Sequence, residues 1–292
     1  MRRMYVGLVL GVLAAGMAFA QDEKPYEQVV DHVYVTHEGA DFYMDIFTPK
    51  GKKNGLAIID VASGAWHADR GKIDDHEQAQ MYNIFCGKGY MVFAVRPGSR
   101  GDYDVLQMAA RIKDGIRWVK HHAAEYGIDP KRIGLTGASA GGHLASLTAV
   151  TPEQGSADAP DPLAKLDTSV KAVGIFFPPT DFIEWTGGTG KSERLGDIFF
   201  QGGYGTHTDE EIKARATEAS PALQIKGKTP PFLIYHGDAD PLVPLRQSEI
   251  LVEALKKHGN QAELIVVPGG AHPWPTIPEE VAKLADWFDK TL

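Results

Sequence analysis

The residues best suited to covalent chemistry lie in Gly137-Ala138-Ser139-Ala140-Gly141, which fits the pattern G-x-S-x-G. A serine hydroxyl is a weak nucleophile, and it becomes useful when a sharp turn lifts it clear of the backbone. Arg132 to Thr136 ahead of it reads as a short buried strand, and Gly142 to Val150 after it as a helix. Gly137 and Gly141 allow the tight strand-to-helix turn without side-chain collision. Ala140 then offers its backbone N–H at a helix N-terminus, where developing negative charge is stabilised. The competing reading of the pentapeptide alone is a glycine-rich turn holding an ordinary serine.

Such a serine needs a base, and the base needs a carboxylate to fix its tautomer. Two later strand ends supply candidates. Phe232-Leu233-Ile234-Tyr235 runs into His236-Gly237-Asp238-Ala239-Asp240, and Leu264 to Val267 runs into Pro268-Gly269-Gly270-Ala271-His272. His272 combines a loop after a strand with neighbouring glycines. Among the other histidines, His121 and His122 are expected in solvent, His143 packed behind Ser139, and His236 as a structural member of its turn. For the acid, Asp240 lies far enough past the strand to reach His272. Asp238 could instead satisfy turn N–H groups, and Asp181 could cap the segment after Pro178-Pro179-Thr180. The order Ser139, Asp, His272 is that of α/β-hydrolases and differs from the chymotrypsin and subtilisin orders. No set of His, Asp and Glu has metal-ligand spacing, and neither a metal nor another cofactor is expected.

An oxyanion would require a second N–H from the loop after the first buried strand, Asp60 to Trp66. The expected donors are Ala140 together with Gly64 or Ala65. Trp66, Trp185 and Trp274 are candidates to line a substrate site, or to serve as core. Of these, Trp66 is expected to bind substrate. Residues 152–230 are expected to set specificity. Within them, Lys191 to Ala219, with Phe199, Phe200 and Tyr204, reads either as a lid or as an ordinary covering helix with loops. Cys86, the sole cysteine, precludes an internal disulfide and reads as a buried thiol.

The elements that must position these groups alternate along the 292-residue chain. Val33–Thr36 and Phe42–Phe47 form an opening hairpin. Strands follow at 56–59, 90–95, 132–136, 170–177, 231–235 and 262–267. Helices are expected at about 75–86, 105–126, 142–150, 247–258 and 278–292. Alternating strands and helices predict a mainly parallel sheet covered on both faces, with ligands at the carboxyl ends of its strands. A formal net charge of −8 leaves no basic footprint for nucleic acid. Arg2 and Arg3, the apolar run Val6–Ala18, and Ala18-Phe19-Ala20 before Gln21 read as a secretory signal peptide, residues 1–20. Its removal would delete two arginines and no acid, taking the charge to −10. The residue directly after that site is Gln21 and not a cysteine, so a lipid anchor is not expected. Periplasmic or secreted localisation in a bacterium is expected, with residues 21–292 forming one domain.

From about Tyr34 to Leu292 the chain resembles α/β-hydrolases of the bacterial secreted esterase group that includes feruloyl and acetyl-xylan esterases. The resemblance rests on Ser63-Gly64-Ala65-Trp66, Tyr126-Gly127-Ile128-Asp129-Pro130, Gly137 to Leu144, Phe176 to Phe182, His236 to Pro244 and Gly270-Ala271-His272. It implies Ser139 as nucleophile, Asp240 as acid and His272 as base. Many such esterases carry H-G-G-G-W where this chain has Ala62-Ser63-Gly64-Ala65-Trp66, so the leading histidine is absent here. The expected activity is hydrolysis of small or carbohydrate-linked carboxylic esters. A peptidase or amidase with the same triad, or a non-catalytic binding protein on the scaffold, are the competing readings.

Overall fold

Five of the strands are apolar on both faces, and only a layer of helices on each side can cover such strands. The computed structural model describes residues 23–292. The expected signal peptide lies outside the described residues. Among the described residues one eight-stranded sheet forms: β1 (Tyr26–His37), β2 (Ala40–Pro49), β3 (Ala57–Val61), β4 (Met91–Arg96), β5 (Ile133–Ala138), β6 (Ala172–Phe176), β7 (Phe232–Gly237) and β8 (Ala262–Val267). Their spatial order is β1-β2-β4-β3-β5-β6-β7-β8. β1 pairs antiparallel with β2, and β2 pairs antiparallel with β4. From β4 through β8 every pairing is parallel. This is the α/β-hydrolase architecture the sequence predicts.

The pleat divides the core in two, because successive side chains leave a strand on opposite faces. Ile59, Val61, Phe93, Val95, Leu135, Ile175 and Ile234 join one cluster, under the helices Val105–His121, Ala140–Val150 and Arg246–Lys257. Ile58, Val92, Ala94, Phe176, Leu233 and Tyr235 join the other, under Gly71–Gln78, Met81–Gly87 and Ile277–Thr291. The last of these buries Val281, Leu284, Ala285 and Phe288, the apolar stripe of its sequence.

Several boundaries differ from expectation. The opening strands are longer, and Glu38 and Gly39 both adopt positive φ (51° and 82°) in the two-residue turn between them. The helix expected at 75–86 is two helices, because Gln80 takes a left-handed conformation at φ 63°. The helix expected to reach Tyr126 stops at His121 and resumes at Ala123–Tyr126. There His122 is not free in solvent as expected. Its ring stacks on Trp118 at 4.0 Å and its Nδ1 lies 2.8 Å from the Trp118 carbonyl. Cys86 is buried, which pushes its thiol pKa up to about 12 and leaves it inert as a nucleophile.

Parallel strands bring their carboxyl ends to one rim. The turns after β3, β5, β6, β7 and β8 therefore all open on the same side of the sheet, and every candidate site residue lies in one of them.

Candidate active site

Ser139 follows β5 directly and precedes the helix Ala140–Val150. Its backbone sits at φ 52°, ψ −119°, a conformation that costs a non-glycine residue about 1–3 kcal/mol. The turn is locked from several sides. The Ser139 N–H donates to the Phe176 carbonyl at 2.9 Å, and the Gly141 N–H donates to the Ser63 carbonyl at 3.0 Å. A Cβ on Gly141 would stand 2.3 Å from the Val61 carbonyl oxygen, and one on Gly137 would stand 2.6 Å from the Gly141 carbonyl carbon. Both positions therefore exclude a side chain, and the helix starts hard against β3.

The acid and base loops are brought together in a comparable way. A Cβ on Gly237 would meet the Gly270 carbonyl oxygen at 2.1 Å. The Ala239 N–H donates to that same carbonyl at 3.0 Å. The turns after β7 and β8 consequently run side by side. His272 Nε2 lies 2.9 Å from Ser139 Oγ, and its Nδ1 lies 2.6 Å from Asp240 Oδ2. This fixes the imidazole as the tautomer that donates through Nδ1 to the carboxylate and accepts the serine proton at Nε2. The Phe177 ring packs on His272 at 4.3 Å between centroids.

Asp240 is fully enclosed. Its Oδ1 accepts from the Leu242 and Val243 N–H groups at 2.8 and 3.0 Å. Its Oδ2 is approached by a second imidazole, His236 Nε2, at 3.4 Å. Burial pushes the Asp240 carboxyl up, but hydrogen bonds from His236, His272 and the two N–H groups outweigh it. The carboxyl is held well below the usual carboxylate range. The other two aspartates are engaged elsewhere. Asp238 accepts the Gly269 N–H at 2.6 Å, and Asp181 caps the Phe182–Trp185 helix through the Ile183 and Glu184 N–H groups.

His236 is tied into the turn as expected, donating to the Val243 carbonyl at 2.9 Å and accepting from Ser248 Oγ at 2.6 Å. Its contact with Asp240 is the feature sequence reasoning missed. The four-residue spacing of His236 and Asp240 was the only signal, and in an irregular turn that spacing carries no fixed geometry.

On the opposite side of Ser139 the loop after β3 presents its backbone. The Gly64 N–H is already spent on the His67 carbonyl at 3.0 Å. Of the two donors expected from this loop, only the Ala65 N–H is left open. Neither it nor the Ala140 N–H has an acceptor among the described residues. Ala65 and Trp66 both hold positive φ, 48° and 60°. Trp66 is anchored by its indole N–H, which donates to His143 Nδ1 at 3.0 Å, while His143 Nε2 donates to the Ala219 carbonyl at 2.8 Å. Burial lowers the His143 pKa to about 4, so the ring is neutral.

The cleft has two arms that meet at Ser139, His272, Ala65 and Leu242. One, of about 690 Å³, is bordered by Trp66, Trp185, Leu195 and Val243. The segment expected to set specificity thus does border the cleft, through Trp185 to Leu195. The ion pair of Arg100 with Asp197 ties that segment to the loop after β4. The second arm, of about 670 Å³, runs between the helix Gly71–Gln78 and the chain after His272. Trp274 does not line either arm. It is buried against Phe177, with its indole N–H on Glu280 at 2.9 Å. Among the described residues no group of acidic, histidine and cysteine side chains could hold a metal ion.

Known proteins resemble this chain along most of its length. Esterase LipC of Mycobacterium tuberculosis is 30% identical over 229 residues, spanning 75% of this chain and 53% of LipC. The chain thus spans about half the length of that relative. A truncated carbohydrate esterase from gut microbiota superposes with a TM-score of 0.77 at 26% identity, covering 92% of this chain and 98% of that one. Native esterase 2 of the planctomycete Thermogutta terrifontis gives 0.68 at 27% identity, covering 90% and 91%. The BD-FAE family profile matches residues 44–255, from β2 into the helix Arg246–Lys257 and across Ser139 and Asp240. On that match the chain belongs to the BD-FAE family, on an α/β-hydrolase fold of the feruloyl esterase type.

Proposed function

We propose that the protein is a serine carboxylic ester hydrolase, acting on small or carbohydrate-linked esters through Ser139, His272 and Asp240. The observation that most supports this is the unbroken run of contacts from enclosed carboxylate to imidazole to hydroxyl, at 2.6 and 2.9 Å. His272 Nε2 takes the Ser139 proton as Oγ bonds to the ester carbonyl carbon, and Asp240 holds the imidazolium that forms. The carbonyl π electrons move to oxygen, where the Ala140 and Ala65 N–H groups receive the charge. Collapse breaks the bond to the alcohol, which leaves with the proton from Nε2. Water, deprotonated by the same nitrogen, then attacks the acyl-enzyme and releases the acid and free Ser139. Every proton is handled by one imidazole, and the sequence of steps calls for no cofactor.

The esterase names of the relatives support ester over amide substrates. Turnover of p-nitrophenyl acetate, set beside an aminoacyl p-nitroanilide, tests the choice. Ester turnover that vanishes in S139A, with fluorophosphonate labelling lost at the same position, is the expected result. Turnover of the anilide alone would replace this reading with a peptidase. An unlabelled Ser139 in the native protein would leave only a binding role. We further infer export through residues 1–20, on the strength of the basic start, apolar run and A-x-A site. N-terminal sequencing of the exported protein should then begin at Gln21.

A further inference from the structure

A second histidine–carboxylate pair stands on the floor of the second arm, and the mechanism above does not use it. Asp60, in β3, is wholly buried, and its Oδ2 is 2.7 Å from His76 Nδ1 and 3.1 Å from the Tyr82 hydroxyl. Its Oδ1 is enclosed with no hydrogen-bond partner among the described residues. His76 borders the arm that also holds Ser139 and His272. Its Nδ1 is held by Asp60, and its Nε2 has no partner among the described residues and is not sealed off. Burial would lower the His76 pKa, but the charge and hydrogen bond of Asp60 outweigh it and raise the value. With Nδ1 held by Asp60, the free edge of the ring presents a polar nitrogen, Nε2, to the cleft.

Stability does not account for this arrangement. Replacing a buried ion pair by apolar side chains of similar volume is commonly neutral or favourable, and leaving Oδ1 unpartnered adds a further cost. The remaining lining narrows the ligand. Lys72 and His67 add donors, while Asp69 and Asp75 add acceptors, so the arm is close to neutral and can both give and receive hydrogen bonds. An anionic ligand would meet Asp69 and Asp75. Phe177, Pro273, Pro275 and Ile277 supply apolar surface from other segments. A neutral polyol with an apolar face, such as a pyranose ring, matches that mixture.

Building on the esterase reading, we infer that the Asp60–His76 pair is a recognition subsite for the sugar alcohol of the ester, with His76 Nε2 hydrogen-bonded to a sugar hydroxyl. The acyl group then occupies the arm beside Trp66 and Trp185. Two acetates that differ only in the alcohol test this: methyl 2-O-acetyl-β-xylopyranoside and p-nitrophenyl acetate. H76Q should lower the ratio of their kcat/KM values, sugar over nitrophenyl, by about three- to tenfold, the worth of one hydrogen bond. An equal fall on both substrates, or none on either, would overturn the assignment. Should H76Q fail to fold, the wild-type protein decides. Methyl β-xylopyranoside should compete with p-nitrophenyl acetate more strongly than methyl β-glucuronide does, and the reverse order or no competition counts against the subsite. Absence of any ester turnover by the wild type would strike the esterase reading instead. Saturation-transfer NMR of methyl β-xylopyranoside on S139A would then still settle whether the sugar binds.

Discussion

Asp240 is met by two imidazoles and two backbone N–H groups inside a space closed to solvent. Each of these donors favours the ionised form, and together they explain why a buried carboxyl keeps its charge. An asparagine there keeps the shape but turns an NH₂ toward one of its donors. Its amide cannot hold His272 with Nδ1 protonated and Nε2 free to accept. D240N should therefore lower kcat/KM about 10³- to 10⁴-fold. D238N should stay within a few-fold of wild type, because that carboxylate does no more than accept one turn N–H near the surface. Steady-state rates on p-nitrophenyl acetate decide it, and a larger loss in D238N than in D240N would reassign the acid.

At the scale of elements, the turn from β5 into the helix Ala140–Val150 depends on backbone meeting backbone. The Val61 carbonyl leaves no room for a methyl group on Gly141, and a carbonyl in the middle of the sheet cannot swing aside as a side chain would. G141A should cost about 1–3 kcal/mol in urea unfolding and reduce ester turnover more than stability, since the Ala140 N–H moves with the turn. A variant as stable and active as wild type would mean that the helix start is looser than these contacts imply. This turn was legible in the sequence because its signals are local: two glycines, a β-branched run before them and an apolar helix after. The alternation of strands and helices was legible for the same reason. Gln80 was not, because no glycine or proline marks its left-handed backbone, so one helix was expected where two exist. The open N–H of Ala65 was not separable from that of Gly64, since the direction of each is set by the bridge to His67. His236 beside Asp240 and His76 beside Asp60 are meetings of segments whose proximity only the folded sheet creates.

At the scale of the whole molecule, His143 joins three regions. It receives the Trp66 indole N–H from the loop after β3, sits on the helix behind Ser139, and donates to Ala219 at the end of the segment bordering the cleft. Both ring nitrogens are committed, so protonation would set an N–H against the Trp66 N–H inside a sealed space. Burial accordingly lowers its pKa from 6.5 to about 4. A group with a lower pKa folded than unfolded binds fewer protons in the folded state between the two values. Its contribution is complete above about pH 6.5 and is lost as pH falls toward 4, by roughly 3 kcal/mol over the interval. Asp240 has the usual acid sign, and its depressed folded pKa places its loss below the unfolded carboxylate value near 3.9. His76 has the opposite sign: burial lowers its pKa, but Asp60 outweighs this, so its contribution is present at low pH and lost as pH rises. Both groups are shared by wild type and an H143Q variant, so the difference between the two proteins isolates His143. Glutamine can still accept from Trp66 or donate to Ala219, but it cannot titrate. H143Q should start about 1–3 kcal/mol less stable at pH 8 and lose about 2 kcal/mol less than wild type between pH 7 and pH 4.5. Urea midpoints followed by tryptophan fluorescence across that range provide the comparison. Parallel curves would show that the imidazole is not held neutral and that acid unfolding begins elsewhere.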